Sequence, residues 1–313
     1  MDRYVFGVDL GGTTVKLGLF RPDGQLVDKW EIPTNTADEG SHILPDIAES
    51  IKAKADERGI VNENIIGIGI GVPGPVDKNG FVNKAVNLGW NSRVDLEGDL
   101  GELTDCFVKG GNDANVAALG EAWKGGAEGY SDVVVVTLGT GIGGGIIIDG
   151  KVLVGATGAG GEIGHINVDP KEKEECGCGN HGCFEMYGSA TGLVRLANRR
   201  LALDDEPSVL RNIEISAKSV LDSYKEGDKV ATEIAEQYGE YLGRGLSIVA
   251  GVVNPQIFVI GGGVSKAGDV LIPLIKKNYE TYVFHASRNV EFAIAKLGND
   301  AGIYGAAKLV LDK

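Results

Sequence analysis

No stretch of the 313-residue chain approaches the roughly 20 consecutive apolar residues that a membrane-crossing helix needs, so a transmembrane protein is not expected. Positive charge is scarce. Thirty Lys and Arg face 44 Asp and Glu, for a formal net charge of -14 and a pI near 4.8. Nucleic acid or an anionic membrane surface would require a basic face, so neither is expected as a partner. The N-terminal Met1-Asp2-Arg3-Tyr4 enters a strand-like run with no apolar h-region, and the expected compartment is the cytoplasm. Cysteine is sparse as well: Cys106 stands apart, while Cys176, Cys178 and Cys183 share one short loop. In a cytosolic chain that spacing suggests a metal site more than a disulfide framework. The phosphate-loop pattern G-x-x-x-x-G-K-[ST] is missing, which excludes a Walker-type nucleotidase.

What remains is an ordinary soluble composition, 43% hydrophobic and 24% charged, with room for two domains. Its excess lies in glycine. The 49 glycines exceed the usual share of roughly 7%, and they cluster. The run Tyr4 to Val8 leads into Asp9-Leu10-Gly11-Gly12-Thr13-Thr14, then apolar Val15 to Phe20, then Pro22-Asp23-Gly24 and Gln25-Leu26-Val27. That reads as strand, glycine turn, strand, Asp-Gly hairpin, strand. The plan recurs: Asp132 to Thr137, Gly139 to Gly145, Ile146 to Ile148, Asp149-Gly150, Lys151 to Val154. A unit repeated at this length suggests two halves built alike and facing each other. A third turn, Gly261-Gly262-Gly263, follows the strand-like Ile257 to Ile260 and precedes a helical pattern over Gly268 to Tyr279. Helical patterns also cover Ser41 to Arg58, Ala190 to Arg200, Val230 to Val253 and Ala301 to Leu311.

Gly139-Thr-Gly-Ile-Gly-Gly satisfies G-x-G-x-x-G, but the dinucleotide fingerprint needs a helix next, and Ile146-Ile147-Ile148 is β-like. A phosphate-binding hairpin fits better, because glycines let backbone N–H groups converge on an anion. A single glycine turn is most simply a tight hairpin without a ligand. Two matched turns and a third favour a nucleotide held by Asp9, Gly11, Gly12, Thr13, Thr14, Gly139, Thr140, Gly141, Gly261, Gly262 and Gly263. Asp9 is suited to hold Mg2+ through water. Lys16 alternates with Val15 and Leu17 and reads as a solvated strand residue outside the catalytic set.

Asp113 follows the strand-like Cys106 to Lys109 and enters a helical stretch, Val116 to Trp123. An Asp there is a natural helix N-cap. It is also where phosphoryl transfer would need a carboxylate to accept a hydroxyl proton. Cys176-x-Cys178-x4-Cys183 offers three thiolates for a tetrahedral metal, and either His165 or His181 could complete it. A structural Zn2+ would pin a glycine-rich loop that has little core of its own.

The chain resembles the ROK sugar kinases, and among them the glucokinases. The motifs are Asp9-Leu-Gly-Gly-Thr-Thr-Val-Lys16, Gly111-Asn-Asp-Ala-Asn115, Leu138-Gly-Thr-Gly-Ile-Gly-Gly-Gly145, Gly161-Glu-Ile-Gly-His165 and Cys176-Gly-Cys-Gly-Asn-His-Gly-Cys-Phe-Glu185. They span nearly the whole chain in family order, without departures. The resemblance implies an α/β, two-domain actin-like ATPase (ribonuclease H-like) fold with nucleotide and sugar in the interdomain cleft. The small domain is expected at 1–115, with the C-terminal helix 301–313 packing back on it, and the large domain at 116–300. It implies Asp113 as catalytic base, and Asn112 as its hydroxyl-binding neighbour. Glu162, His165 and Glu185 join them at the sugar, with Gly74 a further backbone contact. It assigns His165, Cys176, Cys178 and Cys183 to zinc. The implied activity is ATP-dependent phosphorylation of glucose in a homodimer or homotetramer. A kinase for mannose, fructose or an N-acetylhexosamine is the alternative within the family. The family's sugar-responsive repressors carry a DNA-binding region ahead of the first glycine turn, and Asp9 arrives too early here to leave room for one. A silent sugar sensor is opposed by the intact Asp113 and both turns.

Overall fold

The computed structural model describes residues 2–312. The first sheet comprises β1 (Tyr4–Leu10), β2 (Thr14–Phe20), β3 (Leu26–Pro33), β4 (Ile65–Val72) and β5 (Val108–Asn112). The second comprises β6 (Val133–Leu138), β7 (Ile142–Ile148), β8 (Lys151–Val152), β9 (Ile257–Gly261) and β10 (Glu291–Ile294). Their strand orders are β3-β2-β1-β4-β5 and β8-β7-β6-β9-β10. In each, the first three strands run antiparallel and the last two join in parallel. This doubled order is the ribonuclease H-like, actin-like architecture.

The longer helices are α1 (Ile43–Glu57), α2 (Leu96–Thr104), α3 (Asp113–Lys124), α4 (Ala190–Leu201), α5 (Ala217–Lys225), α6 (Lys229–Val253), α7 (Leu271–Tyr282) and α8 (Ala301–Leu311). On α1, Ile43, Ile47, Ile51 and Ala55 recur every four residues, so they form one stripe that packs with Val8, Leu17 and Leu19. A separate core gathers Val134, Phe184, Tyr238, Leu242 and Phe258 from the second half. The β1 run is apolar at successive positions because both of its faces are covered. Phe6 and Val8 belong to the core under α1, and Val5 packs with Ile303, Ala307 and Val310 of α8.

Helices α3 and α8 form the waist. Ala118 and Leu119 of α3 pack under the second sheet with Val133, Val135 and Ile147. The two helices cross so closely that a Cβ at Gly305 would collide with the Val116 carbonyl, and one at Gly120 with that of Ala301. Position 115 lies in the first turn of α3.

Several elements differ from the sequence expectation. β7 begins at Ile142, so Gly143 to Gly145 belong to a strand and only 139–141 form the turn. Those glycines are small because neighbours crowd them: a Cβ on Gly145 would strike Ala118. Helix α7 starts at Leu271 because Gly268 adopts φ +72, outside any helix. β3 runs on to Pro33, masked in sequence by Asp28, Lys29 and Glu31 on an exposed edge strand. Of the helix expected at 301–313, Lys313 lies outside the described residues, as does Met1 of the expected first domain.

Candidate active site

The two repeated hairpins put equivalent residues on opposite walls of one cleft. Asp9 pairs with Lys16 across the first hairpin, and Thr137 pairs with Gly143 across the second. All four, with Asp113, Asn299 and Gly302, line a cleft of about 420 Å³. The first turn is braced by Gly11 N donating to the Thr14 carbonyl (3.1 Å) and Thr34 Oγ1 donating to the Gly11 carbonyl (2.6 Å). Gly12 and Thr13 at its tip are exposed. The second turn is held by Thr191 Oγ1 donating to the Thr140 carbonyl (2.6 Å) and Ala190 N to that of Gly139 (2.8 Å). β9 runs parallel to β6 with Gly261 opposite Thr137, which brings the third glycine turn beside the second. Gly262 has φ +80 and lies against Leu138, where a Cβ has no room.

Asp113 opens α3, but the capping role falls to Asn112, whose Oδ1 accepts from Ala114 N (3.1 Å) and Asn115 N (3.2 Å). Asp113 therefore keeps an oxygen for other work, its Oδ1 accepting from Ala114 N at 2.8 Å. Burial raises its carboxyl above the ordinary range, the Ala114 N–H opposes that, and the Glu162 charge adds to it. Burial likewise raises Asp9, against the pull of Lys16 and with a contribution from Asp113, so the two carboxylates sense each other. Asn112 Nδ2 donates to the Gly74 carbonyl at 3.3 Å, which ties the Gly74 turn (φ +116) to the same corner. Asp113, Asn112, Gly74 and Glu162 are thus brought together.

The cysteine loop lies in the second half of the chain, between β8 and α4. Ligand atoms of His165, Cys176, Cys178 and Cys183 all lie within 4.8 Å of one another. Cys178 Sγ is 3.6 Å from Cys183 Sγ, and Cys176 Sγ is 3.9 Å from His165 Nδ1. Metal–sulfur bonds of about 2.3 Å at tetrahedral angles require such spacings, so three thiols and one imidazole fit zinc. His181 points elsewhere, its Nδ1 lying 3.0 Å from the Glu174 carbonyl. Glu185 links the cysteine loop to the second glycine turn, lining with Thr140, Gly141 and Cys176 a pocket separate from the Asp113 cleft. Its Oε1 accepts from Cys176 Sγ (3.1 Å) and lies 3.7 Å from His165 Nδ1, while its Oε2 occupies the space that a Cβ on Gly141 would need.

Two features escape a reading of the sequence. Lys16 is not a solvated bystander: its Nζ donates to the Asn299 carbonyl (3.2 Å) and lies 4.0 Å from Asp9 Oδ2. The available signal was register, since Asp9 and Lys16 are equidistant from the turn and must face one side. The second is the bracing of the cysteine loop. Glu172 accepts from Arg195 Nη2 (2.6 Å), Arg199 Nη1 (2.9 Å) and Tyr187 OH (2.6 Å). Burial alone would raise its carboxyl, yet these donors hold it well below the usual range. Arg195 and Arg199 stand one helical turn apart on α4, a pattern that in sequence looks like any solvated face.

A model of the ROK family matches residues 5–313. A glucokinase from Halalkalibacterium halodurans is 43% identical over 99% of this chain and 95% of its own length. A ROK hexokinase structure from Thermus thermophilus superposes with TM-score 0.81 at 31% identity, covering 98% of this chain and 97% of that one. The structure of a ROK family glucokinase from Streptomyces griseus, in complex with glucose and AMPPNP, gives TM-score 0.73 at 33% identity, covering 99% and 100%. Among the described residues, no helix is long and apolar enough to cross a membrane.

Proposed function

This chain belongs to the ROK family, and from that premise we propose that it transfers the γ-phosphoryl group of ATP to the 6-hydroxyl of glucose. One observation carries the reading: a half-buried carboxylate of raised pKa, Asp113, shares a single cleft with Asp9 and Lys16 beneath two matched glycine turns. In-line transfer needs the acceptor held still, the phosphate charge offset and a base for the hydroxyl proton. Asp113 is the proposed base. A carboxyl lifted by burial is a better proton acceptor than a free one.

Backbone N–H groups of Gly12, Thr13 and Thr14 and of Thr140 and Gly141 are proposed to cradle the phosphates, while Gly11 and Gly139 shape the two turns through their own N–H bonds to Thr14 and Gly141, and Gly261, Gly262 and Gly263 would lie beside the nucleoside. Asp9 would hold Mg2+ through its water shell, and that ion would offset phosphate charge. Asn112, Glu162, His165 and Glu185 would orient the sugar by hydrogen bonds, with the Gly74 turn alongside. His165, Cys176, Cys178 and Cys183 would hold a structural Zn2+ that stiffens the loop carrying Glu185.

The test is a coupled assay of the purified enzyme with ATP against glucose, mannose, fructose and N-acetylhexosamines, repeated with polyphosphate as donor. Glucose with ATP is expected to give the highest kcat/KM. A clear preference for another sugar would replace glucose in this reading, and no transfer to any sugar would end it.

A further inference from the structure

We infer that Glu121 is a positioning residue for the nucleotide: its buried carboxylate gathers backbone N–H groups and so sets the 296–302 turn as a wall of the phosphate cleft. Glu121 lies on α3 beyond Asp113 and is only 2% exposed. Its Oε2 accepts from Gly126 N (2.7 Å) and Lys296 N (3.0 Å), and its Oε1 from Leu297 N (2.8 Å). Hydrogen bonds to a buried charged acceptor are among the stronger ones, and they aim what donates them.

What they aim is specific. The segment after Leu297 contributes Gly298, Asn299, Ala301 and Gly302 to the cleft that holds Asp9 and Asp113. Its Asn299 carbonyl receives Lys16 Nζ at 3.2 Å. Glu121 therefore reaches Lys16 through two hydrogen bonds, and Asp9 only through the further 4.0 Å ion pair of Lys16. The repeat explains why the second half needs such help. In the first half, β5 passes directly into α3 at a self-capped turn, Asn112 supplying the cap. In the second, residues 295–300 intervene between β10 and α8, and α8 has no side-chain cap. A carboxylate from α3 supplies what that turn lacks.

The inference rests on the nucleotide reading above, so its test measures binding rather than turnover. Glu121→Gln keeps the shape but replaces one acceptor oxygen with a donor. By calorimetry, the Kd for AMPPNP is expected to rise about tenfold, the worth of one charged hydrogen bond, while that for glucose stays within about twofold. Adding Lys16→Met to Glu121→Gln should then weaken AMPPNP by less than Lys16→Met does alone. Unchanged AMPPNP affinity, or equal losses for both ligands, would reduce Glu121 to a purely structural group and overturn the inference. If Glu121→Gln fails to fold, Leu297→Pro removes a single donor at a φ of -79 that proline accepts, with the same expected outcome. A wild type that binds AMPPNP but phosphorylates another sugar would correct the functional reading and leave this test intact.

Discussion

At equivalent points of the two hairpins the residues differ in kind: Asp9 pairs with Lys16 in the first, Thr137 with Gly143 in the second. The backbone frames match strand for strand, yet one hairpin brings two charges to the cleft and the other a hydroxyl and a hydrogen atom. The connections diverge as well. Between β3 and β4 the first half carries residues 34–64 with the single long helix α1, whereas between β8 and β9 the second carries residues 153–256, with the cysteine loop, α4, α5 and α6. A duplicated frame has thus diverged, with two charged side chains at the cleft in its first hairpin and the cysteine loop in the connection of its second half. Asp113 stands at the waist, where each side reaches it.

The division can be tested at its centre first. Asp113→Asn should lower kcat by roughly 10²- to 10⁴-fold while glucose affinity stays within a few-fold, as measured by steady-state kinetics and calorimetry. The wild-type acid limb should lie above the ordinary aspartate range. The active form is the carboxylate, whose pKa burial raises, so activity is lost as pH falls through that raised value. The same shift means that ionised Asp113 opposes folding at neutral pH, so Asp113→Asn should melt no lower than wild type. A variant with near-normal kcat would remove Asp113 from the chemistry.

The next effect belongs to the second half alone. Cys178→Ala should lose the metal, read by atomic absorption, and weaken glucose binding about tenfold, in line with lost support around a site, while AMPPNP affinity holds. A full zinc complement in that variant would discredit the cluster. The smallest expected effect compares equivalent sites directly. Asp9→Asn should raise the KM for Mg-ATP about tenfold, the worth of one charge-assisted contact, whereas Thr137→Val should change it less than about threefold. Equal losses would show that the two hairpins have not diverged in function.

Much of this was legible beforehand, for physical reasons. β4 reads at its true bounds, Ile65–Val72, because a strand buried from Gly67 to Val72 must be apolar or glycine there, and Ile65 and Ile66 extend the run. α8 reads at Ala301–Leu311 because it is small and apolar on nearly every side, as befits a helix wedged between the first sheet and α3. The minor elements were not legible. α2 is partly acidic, with Glu97, Asp99 and Glu102, and β10 is four residues long with one exposed end. Lys16 was misread because alternation gives the face of a strand residue without saying what lies opposite. Asp113 and Asn112 divided the capping and cleft-facing roles in a way that composition cannot assign, since either side chain can cap.

Taken alone, the order of residues determined the local and the repeated: where glycine allows tight turns, which strands are buried, and that the hairpin plan occurs twice. These depend on neighbours within a few residues, or on likeness between two segments. Only the folded chain decided which distant groups share a space. Glu121 meets Lys296 and Leu297 across 175 and 176 positions, and Lys16 meets Asn299 across 283. Contacts at that separation are set by how the two sheets and the α3–α8 waist pack, and no periodicity along the chain encodes them.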